Sequence, residues 1–172
     1  MSEQTGGQRD MVPEMGEFGP RTKRQYAALT GITGLRPPYV AKFFGITQQA
    51  VSRWERDGYR FPPREAWELV EGAMRAYLRT VDATVTGIED KYKPDQVKVL
   101  LTWYRNPAEY YKAHADDDDG GVKHPEVMWA LADARMRGAA TELMLDGYQV
   151  EFVHPGDMPD GHDDGVLVVP RG

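Results

Sequence analysis

The sequence predicts a mainly α fold, in which an N-terminal bundle of short helices leads into a long helix and then a small α/β part. Three observations predict it. Apolar residues at helical spacing, interrupted by Gly and Pro, fill residues 22–58. After Pro63, apolar residues recur three and four positions apart as far as Ile88. Segments 96–104 and 148–153 are rich in β-formers and flank a further helical pattern beginning at His124-Pro125.

Composition excludes several classes of protein. A chain of 172 residues has room for one ordinary domain or two small units. The absence of cysteine excludes disulfide frameworks, thiol nucleophiles and cysteine zinc sites. With a mean hydropathy of -0.60, no apolar run of membrane-spanning length and no secretory-type start, we expect a cytoplasmic protein without a membrane partner.

The net charge of -6 is distributed unevenly. Residues 1–20 carry a charge of -3, residues 21–60 carry +6, residues 61–115 are neutral, and residues 116–172 carry -9. A phosphate-binding surface needs only one cationic face, so the negative total does not exclude a nucleic-acid partner. The basic block coincides with the short helices.

Four regions are expected along the chain. Residues 1–20 are predicted to be a disordered leader, and residues 21–92 to hold the short helices and the long helix. Residues 93–154 are predicted to form an α/β dimerisation part, and residues 155–172 a flexible acidic tail. Within that tail, the apolar segment 166–169 is either an edge strand or a sticky end.

Capping residues predict the ends of the three short helices. Thr22 is the expected N-cap of the first, which ends at Gly31 or Gly34. Two prolines at 37–38 begin the second helix, and Gly45 ends it. Thr47 is the expected N-cap of the third, which is predicted to continue to Gly58.

The segment 39–58 has the order that a helix-turn-helix requires. Ala41 stands where the two helices pass closely, and Gly45 permits the tight turn between them. Ile46 is predicted to fill the space between the helices. Val51 and Trp54 are predicted to anchor the second helix of the motif to the core.

Anchoring by Val51 and Trp54 leaves a polar helix face available for a DNA major groove. Glutamine pairs with adenine and arginine with guanine, whereas other cations and hydroxyls hold phosphates. The residues expected to contact bases are Gln48, Gln49, Ser52 and Arg53. Those expected to contact phosphates are Lys23, Arg24, Arg36, Lys42, Thr47, Arg56 and Arg60.

The segment AKFFGITQQAVSRWERDG resembles the helix-turn-helix of Xre/Cro-type regulators. The matching positions are Ala41, Gly45, Ile46, Thr47, Val51, Ser52, Trp54 and Glu55. More weakly, the order of elements in the rest of the chain resembles YdiL-like and anti-CRISPR-associated regulators. That resemblance implies a dimerising C-terminal part and an autorepressor bound to an inverted repeat in its own promoter.

The sequence therefore predicts a dimeric transcriptional regulator that binds double-stranded DNA, without a cofactor and without enzymatic activity. Two alternatives remain open. One is an antitoxin-like module that neutralises a protein partner, and the other is a phage packaging or RNA-binding protein. No two candidate catalytic groups fall on predicted rigid elements at a useful spacing.

Three further clusters have a structural and a functional interpretation. The acidic run 116–119 with His114 and His124 is either a divalent-metal site or a hydrated loop, and we favour the loop. The same holds for the acidic and histidine cluster at 154–164. The aromatic residues Trp103, Tyr104, Tyr110 and Tyr111 either stack on bases or pack in a core or dimer, and we favour packing.

Overall fold

The computed structural model describes residues 13–114, 125–159 and 165–172. These residues are mostly helical, with a small sheet near the C-terminus, as the sequence predicts. The helices are α1 (Lys23–Thr33), α2 (Pro37–Phe44), α3 (Gln48–Trp54), α4 (Arg64–Glu89), α5 (Pro107–Ala113) and α6 (Pro125–Leu145). The strands are β1 (Met15–Gly16), β2 (Gly19–Pro20), β3 (Val97–Thr102), β4 (Gln149–Val153) and β5 (Val166–Pro170).

The described end of the predicted leader is folded. Strands β1 and β2 pair in an antiparallel hairpin, and Phe18 between them packs against the core of the first helices. Arg21 donates a hydrogen bond of 2.9 Å to Glu14 of the same segment. Residues 13–20 therefore belong to the folded unit, whereas residues 1–12 lie outside the described part of the chain.

The ends of α1 and α2 follow the capping signals. The Thr22 hydroxyl accepts a hydrogen bond of 3.1 Å from the Gln25 amide, which caps α1. Gly34 ends α1, and Gly45 ends α2 with a φ of 64°. An L-residue rarely adopts this left-handed conformation, so glycine is required for the short turn into α3.

An aromatic cluster joins the first four helices. Trp54 of α3 makes edge-to-face contacts with Tyr26 of α1 at 6.2 Å and with Phe44 of α2 at 6.3 Å. Tyr26 in turn contacts Trp67 of α4 at 5.2 Å. Such pairs stabilise beyond the apolar area they bury, by about 0.5–1.5 kcal/mol each. Burial raises the pKa of the Tyr26 hydroxyl far above its ordinary range, so this ring stays neutral.

Helix α6 packs against both hydrophobic clusters that the described residues form. Its N-terminal half contributes Val127 and Leu131 to the cluster around α1, α2, α3 and α4. Its C-terminal half contributes Ala140 and Leu143 to a second cluster with β3 and Ile88. The predicted α/β part, residues 93–154, therefore packs directly against the first four helices through α6.

Helices α4 and α6 pack tightly at Gly138. A Cβ atom there would lie 2.7 Å from Cζ of Tyr77 and 2.9 Å from Cγ2 of Val81. We expect Gly138→Ala to lower the free energy of unfolding by about 1–2 kcal/mol through overpacking. Gly87, also helical, has no atom within 4 Å of a Cβ built there, so Gly87→Ala should raise it by about 0.5–1 kcal/mol. Urea denaturation of both variants measures the two changes in the free energy of unfolding. If both variants were destabilised, or both stabilised, the close packing at Gly138 would be contradicted.

The C-terminal sheet has the strand order β4-β3-β5. Strand β3 runs parallel to β4 and antiparallel to β5, with Val99 opposite both Val150 and Val168. The sheet thus includes part of the segment that was predicted to be a flexible tail. Strand β5 is an edge strand, and it is ordered because Val166 and Val168 pack on the second cluster. Residues 160–164 lie outside the described part of the chain.

Candidate nucleic-acid interface

Helix α3 is held by a hydroxyl cap at its start and by the burial of Val51, in addition to the contacts of Trp54 described above. Thr47 accepts a hydrogen bond of 3.2 Å from the Ala50 amide, and Val51 is 1 % exposed. The helix ends at Trp54, four residues before the predicted end at Gly58. Residues 55–58 instead form a turn, which ends at Gly58 with a φ of 81°. Arg56 therefore lies in this turn, immediately after the helix.

The outward side of α3 carries the residues predicted to contact bases. Gln48, Gln49 and Arg53 are exposed, and Ser52 is half-buried. Together with Arg56 and Tyr59 they line an open concavity of about 440 Å³. The structure thus brings all four side chains together on one accessible surface, which we call the α3 face.

Tyr59 also belongs to this surface, although the sequence pattern does not single it out as a contact residue. The Arg53 guanidinium lies over the Tyr59 ring, 5.4 Å from its centroid. A cation above an aromatic ring is attracted by the ring's quadrupole, so this contact favours a defined direction for the Arg53 side chain. The signal in the sequence was an aromatic residue directly after Gly58, at the end of the motif.

Lys23 does not lie where a phosphate contact requires it. Its side chain is buried, and its ammonium donates to the backbone carbonyls of Arg56 and Tyr59, the latter at 2.6 Å. The prediction that Lys23 contacts a phosphate is therefore corrected: the ammonium is already bound within the protein. It holds the turn that carries Arg56 and Tyr59 against the start of α1.

Removing this ammonium should loosen the turn. We expect Lys23→Met to lower the free energy of unfolding by about 1–3 kcal/mol, because the backbone carbonyls of Arg56 and Tyr59 lose a charged donor from a buried side chain. Arg24→Met is the matched control, because the neighbouring Arg24 is exposed and should change stability by less than about 0.5 kcal/mol. Chemical denaturation compares the two variants. Equal stability of both variants would show that the Lys23 ammonium does not hold the turn.

The remaining cations differ in their surroundings. Arg24, Arg36 and Arg60 are exposed. Lys42 is also exposed and forms an ion pair with Glu126 of α6. An exposed pair of this kind contributes little free energy, so it does not prevent Lys42 from contacting a phosphate.

Two other predictions for the motif have different outcomes. Ala41 is buried, 5 % exposed, as expected. Ile46 was predicted to fill the space between α2 and α3, but it is 40 % exposed. Leu35 and Val40, both fully buried, occupy the core beside Val51 instead. Ile46 points outward because it follows the left-handed Gly45 and precedes the cap of α3.

Glu55 connects α3 with α1. Its carboxylate accepts a hydrogen bond from the Thr30 hydroxyl at 3.5 Å, a weak contact at the long end of the range. Thr30 itself is buried, and the carbonyl of Ala27, at 3.0 Å, is the nearer of the two acceptors of its single hydroxyl hydrogen. Glu55 therefore lies at the C-terminal end of α3, where it contacts α1.

The two clusters considered for metal binding lie partly outside the described residues. Within the described ranges, no group of three or more histidine or acidic side chains is placed to hold a metal ion. Residues 116–119, His124, Asp160, His162, Asp163 and Asp164 lie outside the described residues. His154 is described, and its Nδ1 accepts a hydrogen bond of 3.2 Å from the Gly156 amide.

The aromatic residues of the C-terminal part divide between core and surface. Tyr104 is buried and packs against Tyr110 at 5.3 Å and His114 at 5.6 Å. Trp103 and Tyr111 are exposed. Packing is therefore the role of Tyr104 and Tyr110.

Comparison with family models, curated proteins and solved structures found no match to this chain. In the described part of the chain, no helix combines the length and apolar character that crossing a bilayer demands. The interpretation of the α3 face depends on its own geometry and chemistry.

Proposed function

We propose that this protein is a sequence-specific, double-stranded DNA-binding transcriptional regulator that inserts α3 into the major groove. The observation that carries the proposal is the orientation of α3. Val51 and Trp54 point into the core, while Gln48, Gln49 and Arg53 project from the opposite side. A recognition helix needs this division between an anchored side and a polar, accessible side.

The chemistry of the α3 face fits base edges. Glutamine amides donate to and accept from adenine N6 and N7, and an arginine fork donates to guanine O6 and N7. The Tyr59 ring beneath Arg53 reduces the number of directions that this fork can take. Ser52, half-buried beside them, offers a hydroxyl that suits several base edges.

Phosphate contacts would surround this reading surface. Exposed Arg24, Arg36 and Arg60, with Arg56 at its border, provide positive charge without a geometric match to bases. Lys42 and the Thr47 hydroxyl are further candidates. Because residues 21–60 carry a charge of +6 within a chain of net charge -6, the attraction to DNA is local.

A homodimer would place two α3 helices in successive major grooves, roughly 34 Å apart, on an inverted repeat. We propose this arrangement, with the C-terminal part as the dimerisation region, and an autorepressor role at the protein's own promoter. An inverted repeat recovered with half-sites one helical turn apart would support the dimer. A single isolated half-site would count against it.

Selecting bound duplexes from a random DNA pool tests the proposal. We expect one enriched motif, bound more tightly than a structured RNA of equal length. The logarithm of the binding constant should fall with the logarithm of salt concentration, with a slope of about -0.9 per phosphate contact. Absence of an enriched motif, tighter binding to the RNA, or a flat salt response would reject the proposal.

A further inference from the structure

The exposed segment between α3 and α4 is tied to α1 by one side chain. Residues 56–61 are exposed and lie outside helices and strands. Among the described residues, the hydrogen bonds that join this segment to a helix other than α3 come from Lys23, whose ammonium donates to the carbonyls of Arg56 and Tyr59. The ammonium also lies 5.3 Å from the centroid of the Phe61 ring, within the range of a cation–π contact. Three contacts therefore converge on one buried side chain.

The end of α1 that carries Lys23 is itself fixed by the core. Lys23 is the first residue of α1, directly after the Thr22 cap. One turn later, Tyr26 is fully buried between the rings of Trp54 and Trp67. A buried lysine side chain has lost most of its rotamer freedom, so its ammonium holds a defined position relative to this core. The two bound carbonyls are therefore held in place as well.

The contacts continue from Lys23 to Arg53 through Tyr59. The Tyr59 carbonyl accepts the Lys23 hydrogen bond at 2.6 Å, and the ring of the same residue lies 5.4 Å from the Arg53 guanidinium. An exposed arginine side chain has many rotamers of similar energy, and a contact with one fixed ring favours a few of them. If the Tyr59 backbone were released, the ring would no longer have a fixed position beneath the guanidinium.

We infer that Lys23 is a positioning residue for sequence recognition, which sets the direction of the Arg53 side chain without contacting DNA. A bidentate contact with guanine requires both donors of the arginine fork to point at O6 and N7. Discrimination at that base pair therefore falls when the fork is free to turn. The orientation of Arg53 is a property of the protein without DNA, whereas its effect on base choice rests on the proposed function.

Proton NMR of the full chain without DNA tests the orientation. The ring current of Tyr59 should shift the Arg53 side-chain protons, because the guanidinium lies over the ring. Lys23→Met should move these resonances towards their positions in Tyr59→Leu, a variant without the ring. Arg24→Met, which removes a neighbouring exposed cation, should leave them in place. Unchanged Arg53 resonances in Lys23→Met would overturn the inference, whatever the protein binds.

Binding to the selected duplex and to its single-base variants tests the effect on base choice. Lys23→Met should reduce the preference about fivefold or more at the base pair whose preference Arg53→Ala removes. It should leave the other base pairs and the salt slope unchanged. The ratio of two affinities cancels any fraction of unfolded protein, so a loss of stability alone cannot produce this pattern.

Arg24→Met should give the opposite pattern, because Arg24 is proposed to contact a phosphate. We expect an equal loss of affinity for all duplexes and a salt slope smaller in magnitude by about 0.9. If Lys23→Met behaved like Arg24→Met, or weakened the preference at every base pair, the inference would be overturned. Absence of any preferred duplex for the wild type would reject the proposed function instead, and the NMR comparison would still decide the orientation.

Chemical rescue separates the ammonium from the rest of the side chain. The chain has no cysteine, so Lys23→Cys introduces a single thiol that can be alkylated in urea before refolding. Alkylation with 2-bromoethylamine places an ammonium as many bonds from Cα as in lysine, whereas ethylation gives a neutral side chain without a donor. The aminoethyl product should regain the wild-type Arg53 resonances and base preference, and the ethyl product neither. Equal behaviour of the two products would overturn the role of the ammonium.

Discussion

Arg53→Ala is expected to weaken binding to the selected duplex by about 1–3 kcal/mol and to relax the preference at one base pair. Arg53 is the exposed guanidinium that α3 itself contributes to the α3 face, and its contact with Tyr59 favours one direction for the fork. If the fork reads a guanine, the variant loses two charge-assisted hydrogen bonds at that base alone. Competition binding against duplexes with single base changes measures both effects.

The control variant for Arg53→Ala is Lys91→Ala, which removes the same charge. Lys91 is exposed and follows α4, a helix of 26 residues whose other end adjoins the first three helices. That helix is about 39 Å long, so the charge is remote from the α3 face. Lys91→Ala should leave affinity and sequence preference unchanged. If it matches Arg53→Ala, the DNA attraction depends on net charge and α3 does not read sequence.

Glu71→Gln is expected to lower the free energy of unfolding by about 3 kcal/mol at neutral pH. Glu71 of α4 is 6 % exposed and accepts hydrogen bonds from Arg21, at 3.1 Å from Nε and 2.8 Å from Nη2. Arg21 also lies over the Trp67 ring, 5.8 Å from its centroid. Without the carboxylate, a largely buried guanidinium keeps, among the residues that the structure describes, only the exposed Glu14 as an opposite charge. Urea denaturation measures the loss.

The same pair predicts a pH dependence. The Arg21 hydrogen bonds hold the pKa of the Glu71 carboxyl below its ordinary value of 4.5. Because the folded pKa is the lower one, the stabilisation is complete above about pH 4.5 and is lost as pH falls through the folded pKa. The difference between wild type and Glu71→Gln should therefore be full at pH 7 and shrink in acid. Glu68→Gln, at an exposed pair with Arg64, is the control and should show neither effect. If the difference in stability between wild type and Glu71→Gln grew in acid, the lowered pKa of the Glu71 carboxyl would be contradicted.

Much of the helical architecture could be predicted because its signals are local. Thr22, Thr47 and Gly45 act through hydrogen bonds and backbone angles within a few residues, and the structure shows each in the expected role. The apolar spacing of α4 and α6 is equally local. The partition of α3 into a buried Val51 and exposed glutamines follows from helical periodicity.

The predictions that the structure corrects concern contacts between residues far apart in the chain. In the sequence, Lys23 resembles any basic residue near a predicted DNA-binding motif, and its burial follows from carbonyls more than thirty residues away. The leader and the tail lack a periodic pattern, yet Phe18 and the valines of β5 pack against elements distant in sequence. The Arg21 to Glu71 pair spans fifty residues, and no spacing rule connects them.

Chemical protection of a single cysteine tests the central claim most directly, namely that the outward side of α3 lies against DNA. The chain has no cysteine, so Ser52→Cys and Thr86→Cys each introduce one thiol, on the α3 face and on the exposed surface of α4. Saturating selected duplex should slow alkylation of the thiol at position 52 about tenfold or more and leave that at position 86 unchanged. Equal alkylation rates at position 52 with and without bound duplex would contradict the account.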